Sequence, residues 1–198
     1  MFNEWKGPDL FVKTRKSHVP LKAHRMAYSR PFRLSEGRRI VLYEKVLGED
    51  GKETFEPYLQ WQLPGSIDEP LLLLFWDPEA KRGGGKIIEF SPKRFRYGSY
   101  QLVNLSSTRI LGYVGSKKNR FACDPWAAYI SKFSHENGDR TPIAAFVESD
   151  GEASLVFSTL TIHRERKRVI LFLKPARNKL NRLVFRSQSL VDFESTGN

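Results

Sequence analysis

Apolar residues recur at every second position over short runs of the chain, and clusters of Gly, Asp, Asn or Pro end those runs. Arg39 to Val46 reads as a strand, Gly48-Glu49-Asp50-Gly51-Lys52 supplies Asp-Gly turn chemistry, and Thr54 to Leu63 returns before Pro64-Gly65. The same grammar predicts three more hairpins. Ile110 to Val114 and Asn119 to Ala122 flank Gly115 to Lys118, and Ile143 to Glu148 and Ala153 to His163 flank Ser149 to Glu152. Arg168 to Lys174 and Arg182 to Arg186 flank a turn containing Asn178 and Lys179.

Between these hairpins, Leu71 to Trp76 is a short apolar run closed by Asp77-Pro78, which suits a strand buried on both faces. Ala80 to Lys86, with three consecutive glycines, reads as a flexible loop before a short strand over Ile87 to Phe90. A strand is expected from Tyr100 to the polar turn at Ser106, and Trp126 to Phe133 fits a strand better than helical turns. No segment holds a 3.6-residue period over a dozen positions. The expectation is an all-β fold: an antiparallel β-sandwich, immunoglobulin-like or jelly-roll-like, of about ten short strands with little helix.

Length and composition agree with that reading. A chain of 198 residues suits one sandwich domain over 1–198, and its 13% aromatic content, rich in Phe, suits half-buried pleated surfaces. Residues 1–35 are less periodic and form a basic N-terminal segment, with an edge strand at Asp9 to Lys13 and a wrapping loop. One cysteine, Cys123, excludes an intrachain disulfide and reads as a small core residue.

Charge changes the picture more. Lys and Arg number 33 against 22 Asp and Glu, a net +11 that favours an anionic partner. The cations crowd the two ends of the chain. Lys13, Arg15 and Lys16 lead one cluster that continues through Lys22, Arg25, Arg30, Arg33, Arg38 and Arg39. Arg164, Arg166, Lys167, Arg168, Arg177 and Lys179 belong to the other, with Lys174, Arg182 and Arg186. If the two clusters adjoin in space, they make one positive face able to track phosphates. The neighbours of the late arginines, Val169 to Leu173, are aliphatic rather than the aromatics that stack single-stranded bases.

Chemistry beyond charge finds little purchase. His18, His24, His135 and His163 are scattered without Cys, Asp or Glu at ligand spacing, so no metal or other cofactor is expected. No Gly-x-Ser-x-Gly elbow appears, and Lys81 to Lys86 lacks the leading glycine and trailing Ser or Thr of a phosphate loop. Trp61 and Trp76 lie inside strand runs, which leaves Trp126 as the tryptophan in a loop-like setting for sugar stacking. No catalytic residue is assigned.

The stretch Leu63-Pro64, Leu71-Leu72-Leu73-Leu74-Phe75, then Pro92, Phe95, Tyr97-Gly98-Ser99-Tyr100 and Val103-Asn104-Leu105-Ser106 resembles envelope-associated β-sandwich proteins from the Planctomycetes–Verrucomicrobia group of bacteria. Their Pro-x-x-Phe-x-x-Gly-Ser-x-x-x-x-Asn-Leu-Ser core follows a Leu-rich strand. The match is close over Phe95 to Ser106 and looser over about residues 35 to 175. In it Gly98 turns the chain into a strand, and Asn104 with Ser106 closes that strand locally.

The resemblance implies a β-sandwich fold and an envelope location, in a group with no established activity. Met1 to Lys6 lacks the charged start, apolar run and cleavage site of an export signal, and Leu71 to Trp76 is too short to span a bilayer. The expected location is therefore periplasm or envelope if a leader has been removed, and otherwise cytoplasm. The expected role is a non-enzymatic structural or protein-interaction domain, in a surface or pilus-linked assembly, meeting a protein partner or its own copy through an edge strand. The alternative is a module that binds nucleic acid or acidic polysaccharide through the basic clusters.

Overall fold

The computed structural model describes residues 5–22, 31–32, 37–77, 80–131, 138–149 and 151–194. Every regular element among them is a strand, and they group into two compact units, 2–90 and 91–198, where the sequence suggested one domain. Among the described residues there are fourteen strands, more than the ten or so expected, and His18–Leu21 is the one that no expected segment covers.

The first unit holds β1 (Leu10–Lys13), β2 (His18–Leu21), β3 (Arg39–Leu47), β4 (Glu53–Gln62), β5 (Pro70–Asp77) and β6 (Arg82–Glu89). Its four-stranded sheet runs β2-β1-β3-β4, so β1 lies inside the sheet and β2 is the edge. The expected edge strand at Asp9 to Lys13 is thus an interior one. The reason is the turn at Thr14 to Ser17, where the Thr14 hydroxyl accepts the N–H groups of Lys16 and Ser17 and folds β2 back without a glycine. Residues 23–30 and 33–36, which carry the expected wrapping loop, lie outside the described residues.

Leu10, Val12, Ile40, Leu42 and Leu63 form the core of this unit, and Leu72, Leu74 and Ile87 of the β5–β6 ribbon pack against it. Full burial of Leu71 to Trp76 on both faces is not found: every residue of β5 is half-buried, with Leu72 and Leu74 packed against the core and Trp76 packed against Trp5. The expected flexible loop at Ala80 to Lys86 is also corrected. Gly83, Gly84 and Gly85 pair with Trp76, Phe75 and Leu74 as part of β6. A Cβ at any of the three would come within 3.0 Å of the rings of Trp5, Phe75 or Trp61 respectively. Glycine here makes room for aromatic side chains lying on the strand.

The second unit holds β7 (Tyr100–Asn104), β8 (Ile110–Val114), β9 (Arg120–Cys123), β10 (Ala128–Ile130), β11 (Arg140–Ser149), β12 (Glu152–Ile162), β13 (Lys167–Arg177) and β14 (Leu183–Phe193). Phe133, the far end of the strand expected from Trp126, lies outside the described residues. Two sheets, β10-β7-β13-β14 and β12-β11-β8-β9, enclose one core of Tyr100, Leu102, Ile110, Ile143, Leu171 and their neighbours. That arrangement is a β-sandwich. The four expected hairpins are all present, β3–β4, β8–β9, β11–β12 and β13–β14, each antiparallel. One pairing departs from the antiparallel pattern: β7 and β13 run parallel, Tyr100 beside Val169 through Asn104 beside Leu173.

Candidate functional site

The basic clusters were the sequence's main functional lead, and the fold redistributes them. Lys13 ends β1, and Arg15 and Lys16 stand exposed in the β1–β2 turn of the first unit. The later cluster belongs wholly to the second unit, and it is not one patch. Arg164, Arg166 and Lys167 gather at the start of β13, whereas Arg177 and Lys179 lie at its other end. Ten residues of extended chain, roughly 33 Å, separate the two groups.

Arg168 leaves the candidate list. Its side chain is 4% exposed, donates from Nε to Asp192 Oδ2 at 2.7 Å, and donates from a terminal nitrogen to the Phe95 carbonyl at 3.1 Å. The guanidinium lies over the rings of Phe95 and Tyr97 at 5.3 and 5.0 Å from their centroids. A buried, paired cation of this kind holds the 91–99 segment onto β13 and cannot meet a polymer. Sequence reading missed this because Arg168 stands in an unbroken basic run, Arg166-Lys167-Arg168, in which Arg166 is exposed and Lys167 half-buried.

Of the other late cations, Arg164, Arg166, Arg177 and Lys179 are exposed and Lys167 is half-buried. Arg166 pairs with Glu194 at 3.2 Å in an exposed position. The Lys167 ammonium donates to the Ile162 carbonyl, and burial, with Arg164 nearby, pulls its pKa below the usual lysine range. Arg177 donates to the Asn181 carbonyl at 2.8 Å inside the β13–β14 turn.

The early cluster gains something the sequence order concealed. Phe11 and Tyr43 are cross-strand partners, as are Lys13 and His18, and Lys45 and Phe55. The His18 ring stacks on Phe55 at 4.1 Å and meets Tyr43 edge-on at 4.8 Å, while Phe11 meets Phe55 edge-on at 5.0 Å. Half-buried aromatics and cations thus share the sheet face opposite the core. The residues come from three separated segments, so no local signal announced the face.

Apolar exposure concentrates elsewhere. β12 and β14 are both sheet edges, eleven residues long, and they run alongside each other where the two sheets of the sandwich meet. Leu155, Leu160 and Ile162 of β12 and Val191 and Phe193 of β14 all remain exposed, Phe193 at 64%. Among the described residues neither strand has a second strand partner. Long apolar edges are ordinarily shielded by charge, proline or a covering loop.

Buried polar groups have structural work. The Glu89 carboxylate accepts the backbone N–H groups of Asp68, Glu69 and Phe90, tying the 68–69 loop to the end of β6. Cys123 is buried in the sandwich core. His163 is buried with its Nδ1 at 3.5 Å from the Tyr100 hydroxyl. Among the described residues, no group of three or more His, Cys, Asp or Glu is arranged to hold a metal ion, and no helix is long and apolar enough to cross a membrane. His24 and His135 lie outside the described residues. Trp5 and Trp76 pack edge-to-face against each other at 5.7 Å, and Trp126 is 47% exposed in its loop. Compared with known proteins, the chain matches no family model and no curated sequence.

Proposed function

We propose that this protein is a non-enzymatic, envelope-associated interaction domain, in a surface or pilus-linked assembly, that receives a protein partner or a second copy along the β12–β14 rim. The observation that carries the reading is the pair of long edge strands whose Leu160, Ile162 and Phe193 face solvent. An edge of this kind offers backbone hydrogen bonds for affinity and apolar side chains for register. The resemblance of Phe95 to Ser106 to envelope-associated sandwich proteins supports the location.

Sedimentation velocity over a concentration series, with cross-linking in cells, tests it. The expected result is self-association or a cross-link to an envelope protein, lost in the Leu160→Lys/Ile162→Lys variant at unchanged melting temperature. A monomer at all concentrations with no envelope cross-link overturns it.

A second reading, polyanion binding, is favoured by the aromatic and cationic face around Lys13, Arg15, Lys16, His18 and Phe55. Bases or sugar rings would stack there while the cations meet phosphate or sulfate. Titration with single-stranded oligonucleotide or heparin at rising salt checks it. Arg15→Gln/Lys16→Gln should reduce the salt slope by roughly 0.7–0.9 per cation. No binding at low salt removes this reading.

A further inference from the structure

The β13–β14 hairpin does something the other turns do not. Past Leu173, whose carbonyl takes the Leu105 N–H, β13 is paired with β14 alone, so the ribbon from Lys174 to Arg186 stands beyond β7. Its turn is held in shape. The Asn178 side-chain oxygen accepts the N–H groups of Leu180 and Arg182 at 2.9 and 3.0 Å. Asn178 N–H donates to Arg182 O at 3.0 Å, and Asn181 takes the left-handed backbone, φ 57°. This is a type I turn closed by a left-handed residue, a common three-residue hairpin connection.

At its apex Leu180 is 73% exposed, the largest exposure of any bulky apolar side chain among the described residues. Around it stand Lys174, Arg177, Lys179, Arg182 and Arg186, and no Asp or Glu occurs between Glu165 and Asp192. Lys174 and Arg186 are directly opposite each other across the ribbon, a like-charge pair that weakens a hairpin in isolation. The β3–β4 turn pairs Lys52 with Asp50, and the β11–β12 turn is flanked by Glu148 and Glu152. The β1–β2 and β8–β9 turns are cationic like this one, but neither Thr14-Arg15-Lys16-Ser17 nor Gly115-Ser116-Lys117-Lys118-Asn119 carries a bulky apolar residue.

We propose that this tip docks on an anionic lipid surface. Leu180 enters the boundary between headgroups and acyl chains, and the cations meet lipid phosphates at two levels. Lys179, Arg177 and Arg182 lie beside the apex, with Lys174 and Arg186 about 10 Å behind, a depth that matches the headgroup region. Long basic side chains reach outward to headgroups while their stems cover apolar surface. A duplex nucleic acid fits less well, since the cations ring an apolar point instead of lining a phosphate track. The docking does not depend on the β12–β14 rim.

Co-sedimentation with phosphatidylcholine vesicles, with and without phosphatidylglycerol, tests it on the full chain. Binding is expected only to the anionic vesicles and is reversed by salt. Each of Arg177→Gln and Arg182→Gln should weaken it roughly fivefold, about 1 kcal/mol per cation at an anionic surface. Leu180→Asp should weaken it roughly tenfold or more. Leu180→Trp should retain binding and blue-shift its emission on vesicles relative to wild type. The rim variant Leu160→Lys/Ile162→Lys should bind vesicles as wild type does. The proposal is overturned if neutral and anionic vesicles bind equally, if neither binds, or if Leu180→Asp binds like wild type. It also falls if duplex DNA competes while Leu180→Asp leaves both interactions unchanged.

Discussion

Asn104 closes β7 with a side chain that is fully buried and fully employed. Its amide nitrogen donates toward the carbonyls of Thr108, Cys123 and Asp124 at 2.8 to 3.2 Å. Its oxygen accepts from Ser106 N–H at 3.1 Å and from the Ser106 hydroxyl at 2.7 Å. Removing it strands several buried partners, so Asn104→Ala should cost about 2–3 kcal/mol in urea unfolding. Asn104→Asp should cost at least as much despite its shape, because a carboxylate faces three carbonyls with nothing to donate. An aspartate variant as stable as wild type would refute this account.

The Arg168 cluster makes a second residue-scale prediction. Arg168→Met leaves the partly buried Asp192 without its cation and should cost about 3 kcal/mol, while Arg168→Lys recovers the charge but not the stacking on Phe95 and Tyr97. Nearby titration gives a sign. Burial holds the Tyr97 hydroxyl above its ordinary pKa of 10.0, with Asp192 adding to the effect, and burial does the same to Tyr100. The fold therefore prefers the protonated form, so this stabilisation is complete below about pH 10 and is lost as pH rises through the raised values. Stability measured from about pH 9 upward should fall, and less steeply in Tyr97→Phe and Tyr100→Phe. An unchanged slope in both variants would exclude these tyrosines as the cause.

At the scale of strands and turns, legibility followed the chemistry of the turn. Gly51, Gly115 and Gly151 all adopt positive φ, which is why the β3–β4, β8–β9 and β11–β12 hairpins could be read directly. The β1–β2 turn, Thr14-Arg15-Lys16-Ser17, is closed by a hydroxyl and carries no such signal. The glycine run misled for a different reason: its missing side chains are explained by Trp5, Phe75 and Trp61, of which Trp5 is remote in sequence. Gly85→Ala sets a Cβ 2.6 Å from the Trp61 ring and 3.0 Å from the Leu73 carbonyl. It should destabilise by roughly 1–3 kcal/mol and shift tryptophan emission, whereas the same change at Gly65, where a Cβ meets nothing, should be nearly silent. The candidate surfaces were less legible than the strands. Exposure of Leu180 and burial of Arg168 depend on strand phase and on partners dozens of residues away.

For the whole molecule, the net charge of +11 is a cost as well as a lure. Like charges repel in the compact state, and at low ionic strength that repulsion is screened only over roughly 30 Å, against about 8 Å at physiological salt. The melting temperature should therefore rise between dilute buffer and physiological sodium chloride. A flat or falling trend would mean that local pairs such as Lys45–Glu53 and Arg166–Glu194 already neutralise the field. The basic groups also divide by unit, Lys13, Arg15 and Lys16 in one and Arg164 to Lys179 in the other.

The parallel pairing of β7 with β13 bears on how the sandwich is made. Tyr100 waits for Val169, so the middle of one sheet is assembled from strands whose synthesis is separated by five others. At ribosomal speeds of about 5–20 residues per second, the buried strand Tyr100 to Asn104 spends seconds without its neighbour. During that interval its apolar side chains are open to wrong partners. This half of the protein should be slow to fold, and dependent on chaperones while it is being made.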